Sequence, residues 1–177
     1  MCIRDSKYTL LDDNNAMLAA FNSGELNFIM NFPTDEMANY LASGQITVAP
    51  YIGTYYVCFN TEDEVFSDPN IRKAFSLVID RNYIVENVSQ AGEVPADGYV
   101  PNGVNDAAGA GSDDFRTVGG SYYSISDEDY EANCEEARQL LADAGYPNGE
   151  GFPTVEYLYN TADNHKKIGE ALQNMWQ

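Results

Sequence analysis

The chain carries one histidine, His165, within LYNTADNHKKIGEAL over 158–172. A lone imidazole can serve as a general base, a metal ligand or a contact for a bound molecule, and each role needs partners of a particular kind. Base catalysis needs a nucleophile or acid within hydrogen-bond reach. No G-x-S-x-G, H-E-x-x-H or G-x-x-x-x-G-K-[ST] spacing supplies one. A structural zinc site needs clustered thiolates and imidazoles, whereas Cys2, Cys58 and Cys134 are widely spaced with no C-x-x-C. GAGSDD at 109–114 lacks the third glycine of a dinucleotide loop and has no strand before it. The acidic runs LLDDNN and GSDDF lack calcium-loop spacing. A paired-carboxylate hydrolase stays open as an alternative among 28 acids, though no spacing points to it. No cofactor and no metal is expected. Two structural readings of His165 stand beside a site role: a surface residue at a helix N-terminus next to Lys166 and Lys167, or a ring packed on Ile168 and Leu172.

The tyrosines are the second group able to hold a ligand. There are 13, and three cluster at Tyr51, Tyr55 and Tyr56. A phenol joins a broad apolar face to a polar tip, which suits binding clefts. The alternative is a sheet with one aromatic face in the core. In a strand Tyr55 and Tyr56 point to opposite faces, so no more than one of them need face a cleft.

These residues have to be positioned by regular elements. The pattern predicts a short helix over 14–22 closed by Gly24, and a second capped by Thr34 and ended by Gly44. LNFIMNF at 26–32, ITVAPYIGTYYVCFN at 46–60 and TVEYLYN at 154–160 alternate or are rich in β-branched and aromatic residues, and read as strands. Asp68 and Pro69 open a helix with a stripe of Ile71, Ala74, Phe75 and Val78. Another follows Asp80, with Ile84, Val85 and Val88 inward, and ends near Gly92. Residues 93–125 show no period and read as a long loop. Ser126 opens a helix striped by Tyr130, Cys134, Ala137, Leu141 and Ala144 and stopped by Gly145 and Pro147. A last helix carries Ile168, Leu172, Met175 and Trp176 on one face. Strands alternating with helices indicate an α/β layer structure.

With 177 residues, 44% of them hydrophobic, the chain can bury a core. No apolar run approaches the roughly 18 residues of a membrane span. A formal charge of -19 repels phosphate backbones, so nucleic acid is not an expected partner. The apolar setting of Cys58 and Cys134 predicts buried thiols, with a disulfide between them an unsupported alternative. MCIRDS at 1–6 resembles a translated adapter sequence and is set outside the fold. HKKIGEALQNMWQ is a helix pattern without a stop signal. Both ends read as belonging to a longer protein.

YYVCFNTEDEVFSDPNIRKAFSLVIDRNYIVENV at 55–88 resembles the signature stretch of the family 5 bacterial extracellular solute-binding proteins, the oligopeptide and dipeptide receptors of ABC importers. AGEVPADGYVPNG at 91–103 and the stretch 135–176 are similar to that family in the same order, and YNTADNHKK leans towards its oligopeptide branch. The resemblance implies a partial lobe of the periplasmic-binding-protein type II (cluster C) fold over 7–177, truncated at both ends. It implies a two-lobed receptor that closes on an extended peptide, does no covalent chemistry and hands its ligand to ABC permease subunits. It further implies a monomer located outside the cytoplasm, periplasmic or lipid-anchored. By position it makes Tyr55, Tyr56, Cys58 and His165 ligand-binding residues, with Tyr56 against the peptide main chain. It places the acidic residue that holds a peptide amino terminus downstream of this span. Two departures stand out. Cys58 occupies a position where peptide-binding relatives often carry a polar or charged group, and Glu64 and Val65 replace a usual pair of prolines. Receptors for nickel, sugars or chemosensory signals share the scaffold and remain alternatives.

Overall fold

The computed structural model describes residues 5–177, so Cys2 and most of the 1–6 leader lie outside the described residues. Two compact units divide the chain after Thr47. In the first, α1 (Asn14–Asn22) opens on Asp13, whose carboxylate accepts the Ala16 N–H at 2.7 Å. α2 (Thr34–Ala42) has Pro33 in the capping position, so Thr34 is its first residue and not the cap predicted from its type. Gly24 and Gly44 follow the two helices at φ 81° and 70°, the left-handed turn a side chain resists.

The second unit, Val48–Gln177, is built on α3 (Pro69–Leu77), α6 (Tyr130–Asp143) and α7 (Asp163–Trp176). Asp68 accepts the Asn70 N–H at 2.7 Å and Pro69 takes the first helical position, as the sequence predicts. α3 and α6 pack side by side. Ala74 and Ala137 are each 1% exposed, small enough to let the two backbones approach closely. Leu77 completes that buried patch, with Val78 half-buried at its edge. On the other side of α3, Ile71, Phe75 and Val65 form an aromatic-rich core with Phe59, Phe66, Phe152 and Trp176. Phe75 meets Phe66, Phe152 and Trp176 with ring centroids 5.3–5.6 Å apart. The Trp176 indole N–H also donates to the Phe75 carbonyl at 2.9 Å. Truncating such a buried ring costs about 3–5 kcal/mol, so this cluster fixes where α7 lies.

After Asp80, α4 (Arg81–Tyr83) runs into a π-helical turn, Ile84–Ser89. It closes with the Gln90 N–H donating to the Val85 carbonyl at 3.0 Å, Gln90 itself at φ 52°. The stretch 93–125 is held down by specific ties. The Arg81 guanidinium stacks on the Tyr123 ring at 4.1 Å. Arg116 pairs with Asp97 at 2.6 Å and donates to the Gly120 carbonyl at 2.8 Å, and Ser121 donates to the same Asp97. A short helix, α5 (Phe115–Gly119), is capped by Asp114 and adjoins an antiparallel bridge between Asn105 and Asp114. Ser126 caps a 3₁₀ turn that leads into α6.

Among the described residues no strand ladder forms, and that single bridge is the only β-pairing. The strands predicted over 26–32, 46–60 and 154–160 are therefore irregular segments. A helix satisfies its backbone within itself, but a strand is defined by a neighbour. Residues 48–59 and 153–161, among the described residues, make no backbone–backbone hydrogen bond.

Candidate functional site

The two unpaired segments of the second unit face each other across an open groove of about 940 Å³. One wall is 55–60 and the other 153–159, with His165 and Trp176 contributed by α7 and with Val65, Phe66 and Phe75 beneath. The volume lies near the upper end of ordinary ligand pockets, about 300–1,000 Å³. Three carboxylates, Asp63, Glu64 and Glu156, are among its lining residues, and among the described residues no lysine or arginine lines it.

His165 lies in the first turn of α7 and is half-buried. Its ring sits 5.1 Å from the Tyr55 ring at 51°. The helix N-terminal position is the one the first structural reading gave it, and the contact with Tyr55 across the chain is one that neither reading drew. The Tyr55 and Tyr157 hydroxyls share a hydrogen bond of 3.3 Å. Tyr157 stacks obliquely on Tyr159 at 5.7 Å and meets Trp176 edge-on at 6.2 Å. Gly169 lets α7 come this close, since a Cβ there would stand 3.3 Å from the Tyr157 ring. Burial first, and then the Tyr55 hydroxyl, pushes the Tyr157 phenol well above its ordinary value. A phenol so raised is a neutral hydrogen-bonding group at physiological pH and is not poised as a nucleophile.

Tyr56 takes a different partner, the Tyr99 ring at 5.1 Å. Hydrogen bonding with Tyr99 raises its pKa. The separate partners of Tyr55 and Tyr56 match their expected divergence, and both stay about half exposed, at 51% and 54%. Cys58 corrects the sequence reading: its thiol is free and exposed, while Cys134 is free and buried. The alternation that sends Phe59 to the core turns its neighbour outward. Tyr157, Tyr159 and Trp176 were not singled out as site residues in the sequence. The two-residue spacing of Tyr157 and Tyr159 in TVEYLYN was the signal, since it places both rings on one face.

Tyr55, His165, Tyr157, Tyr159 and Trp176 form a connected aromatic cluster along an open groove, an arrangement suited to holding a solute. Residues 6–177 match the family model described as bacterial extracellular solute-binding proteins, family 5 middle, and the chain belongs to that family. It is 31% identical over 172 residues to the oligopeptide-binding protein OppA of Bacillus subtilis, covering 95% of this chain and 30% of that protein. It is 32% identical over 170 residues to the periplasmic murein peptide-binding protein MppA of Escherichia coli, covering 94% and 29%. Among solved structures, Escherichia coli MppA superposes with a TM-score of 0.71 at 31% identity, covering 91% of this chain and 30% of that one. Haemophilus influenzae OppA in complex with RPPGFSPFR gives 0.71 at 28%, covering 92% and 30%. These likenesses support the family 5 binding-protein fold. The chain spans less than a third of the length of each of these relatives. Among the described residues no helix is long and apolar enough to cross a membrane.

Proposed function

We propose that 7–177 is part of one lobe of the substrate-binding component of an ABC-type peptide importer, with 1–6 outside the fold. The whole receptor captures extended oligopeptides between two lobes, works outside the cytoplasm as a monomer, and passes its ligand to membrane permease subunits without transforming it. The observation that carries this reading is the Tyr55–His165 pair at the mouth of α7, on a chain similar to proteins named for binding oligopeptides and murein peptides. Tyr55, Tyr56, Cys58 and His165 form its ligand-facing set, with Cys58 supplying an exposed thiol. Extended peptides are held mainly through their main chain, which tolerates many sequences, and ligand favours the closed arrangement of the lobes.

Calorimetric titration of the full-length receptor with RPPGFSPFR tests the reading. Binding in the micromolar range or tighter is expected, weakened about tenfold or more by Tyr56→Ala and by His165→Ala, or roughly 1.4 kcal/mol each. Heat from a nickel salt or a sugar with none from the peptide would overturn it.

A further inference from the structure

Resting on the peptide-capture reading, we infer that Tyr99 is a positioning residue for the ligand: it fixes the Tyr56 side chain in the conformation that a bound peptide meets. Tyr99 belongs to the 93–125 stretch, to which that reading gives no part in capture, and it is not among the described residues that line the groove.

The two ligand-facing tyrosines are held differently. Tyr55 is fixed by the His165 ring and the Tyr157 hydroxyl. Tyr56 is 54% exposed, so burial does not set its rotamer. Its ring meets Tyr99 at 5.1 Å and 66°, the edge-to-face geometry that aromatic pairs favour, and the two phenols hydrogen-bond. Tyr99 is itself 60% exposed. Because both rings remain more than half in water, their pairing hides little surface, and what it supplies is orientation. A tyrosine loose in the free receptor would have to be ordered when peptide binds, at a cost of about three- to tenfold in affinity.

Tyr99 can fix another ring because the backbone on both its sides is tied down. Before it, the Asp97 carboxylate takes the Arg116 guanidinium at 2.6 Å and the Ser121 hydroxyl, and the Asp97 carbonyl accepts the Tyr122 N–H at 3.0 Å. The Tyr123 hydroxyl donates to the Ala96 carbonyl at 3.0 Å. The Tyr123 ring carries Arg81, which donates to the Ser76 and Ile79 carbonyls at 3.1 and 2.9 Å. The loop is thereby joined to the end of α3 and the core. Gly98 leaves room for the Arg116 guanidinium against the backbone immediately before Tyr99, a space that a Cβ would fill. After it, the Gly103 N–H donates to the Asp114 carboxylate at 2.6 Å and the Phe115 N–H to the Val104 carbonyl at 2.8 Å.

A double-mutant cycle on the full-length receptor, read by calorimetry with RPPGFSPFR, tests the inference. Tyr99→Ala should weaken binding about three- to tenfold and leave the thermal midpoint where it was. Tyr99→Phe, which keeps the ring, should recover most of that loss. In a Tyr56→Ala background Tyr99→Ala should change affinity by less than about twofold, because a positioning residue acts only through the side chain it positions. A full loss persisting in that background overturns the inference, since Tyr99 would then touch the peptide itself or hold up the fold. Unchanged or tighter binding by Tyr99→Ala overturns it too, the latter making Tyr99 a cover over Tyr56. Wild-type receptor giving no heat with the peptide defeats the peptide-capture reading and this inference with it, whereas wild-type binding with additive losses defeats this inference alone.

Discussion

Asp97 shows how one carboxylate can order a loop that the sequence leaves without pattern. It receives the Ser121 hydroxyl and the Arg116 guanidinium, and the Arg116 side chain is only 10% exposed. Its pKa is lowered, chiefly by the Ser121 hydrogen bond, which outweighs the opposing effect of burial, and further by the hydrogen bond and charge of Arg116. A carboxylate depressed in the folded state adds stability that is fully present above the unfolded value of about 3.9 and is lost as pH falls towards the folded value. Thermal melts should therefore show the unit losing stability on acidification below about pH 4, and Asp97→Asn should flatten that part of the profile. A profile unchanged by the substitution would show that Asp97 titrates alike in both states. Gly98 belongs to the same node. A Cβ at that position would overlap the Arg116 guanidinium, so the site accepts no side chain without displacing the ion pair. None of this was legible in the sequence, because Asp97, Arg116 and Ser121 meet only once the chain has doubled back, and no local period announces it.

At the scale of elements, the split between what the sequence revealed and what it hid follows the reach of the hydrogen bonds. Helices close on themselves within four residues, so their signals are local. Asp68 with Pro69, Asp80 and Ser126 mark three helical starts where the structure has them. The glycine-terminated ends of α1, α2 and α6 likewise fall where predicted. Strands close on partners distant in sequence. The alternation in 55–60 and 154–159 states which side of each segment is apolar, and Phe59 and Tyr157 do turn inward, yet it cannot state what lies alongside. The same limit applied to the site. Tyr55, Tyr56 and His165 could be picked out by type, whereas the Tyr55–His165–Tyr157 cluster depends on how α7 seats against Phe75. The cap of α3 gives the element-scale prediction. Asp68→Ala should cost about 0.5–2 kcal/mol in denaturant unfolding, while Asp68→Asn, which keeps an acceptor, should cost less. Equal losses in the two variants would mean that the carboxylate acts by charge and not as a cap.

For the molecule as a whole, the decisive quantity is how much of a ligand's surface one lobe can hold. The proposed receptor closes two lobes around an extended peptide, so each wall supplies roughly half of the contacts, and closure excludes water from both. A micromolar complex corresponds to about -8.2 kcal/mol and a millimolar one to about -4.1. Halving the favourable contacts therefore moves affinity from micromolar towards millimolar, before counting the loss of the closed state that ligand normally selects. The 177-residue chain on its own should consequently give little or no heat when titrated with RPPGFSPFR, even though His165, Tyr55 and Tyr56 are all present and half exposed or half-buried at the groove. The full-length receptor should bind the same peptide at least about a hundredfold more tightly, the equivalent of some 2.7 kcal/mol. Micromolar binding by the 177-residue chain alone would show that its single groove suffices, and the two-lobed account of capture would have to be given up.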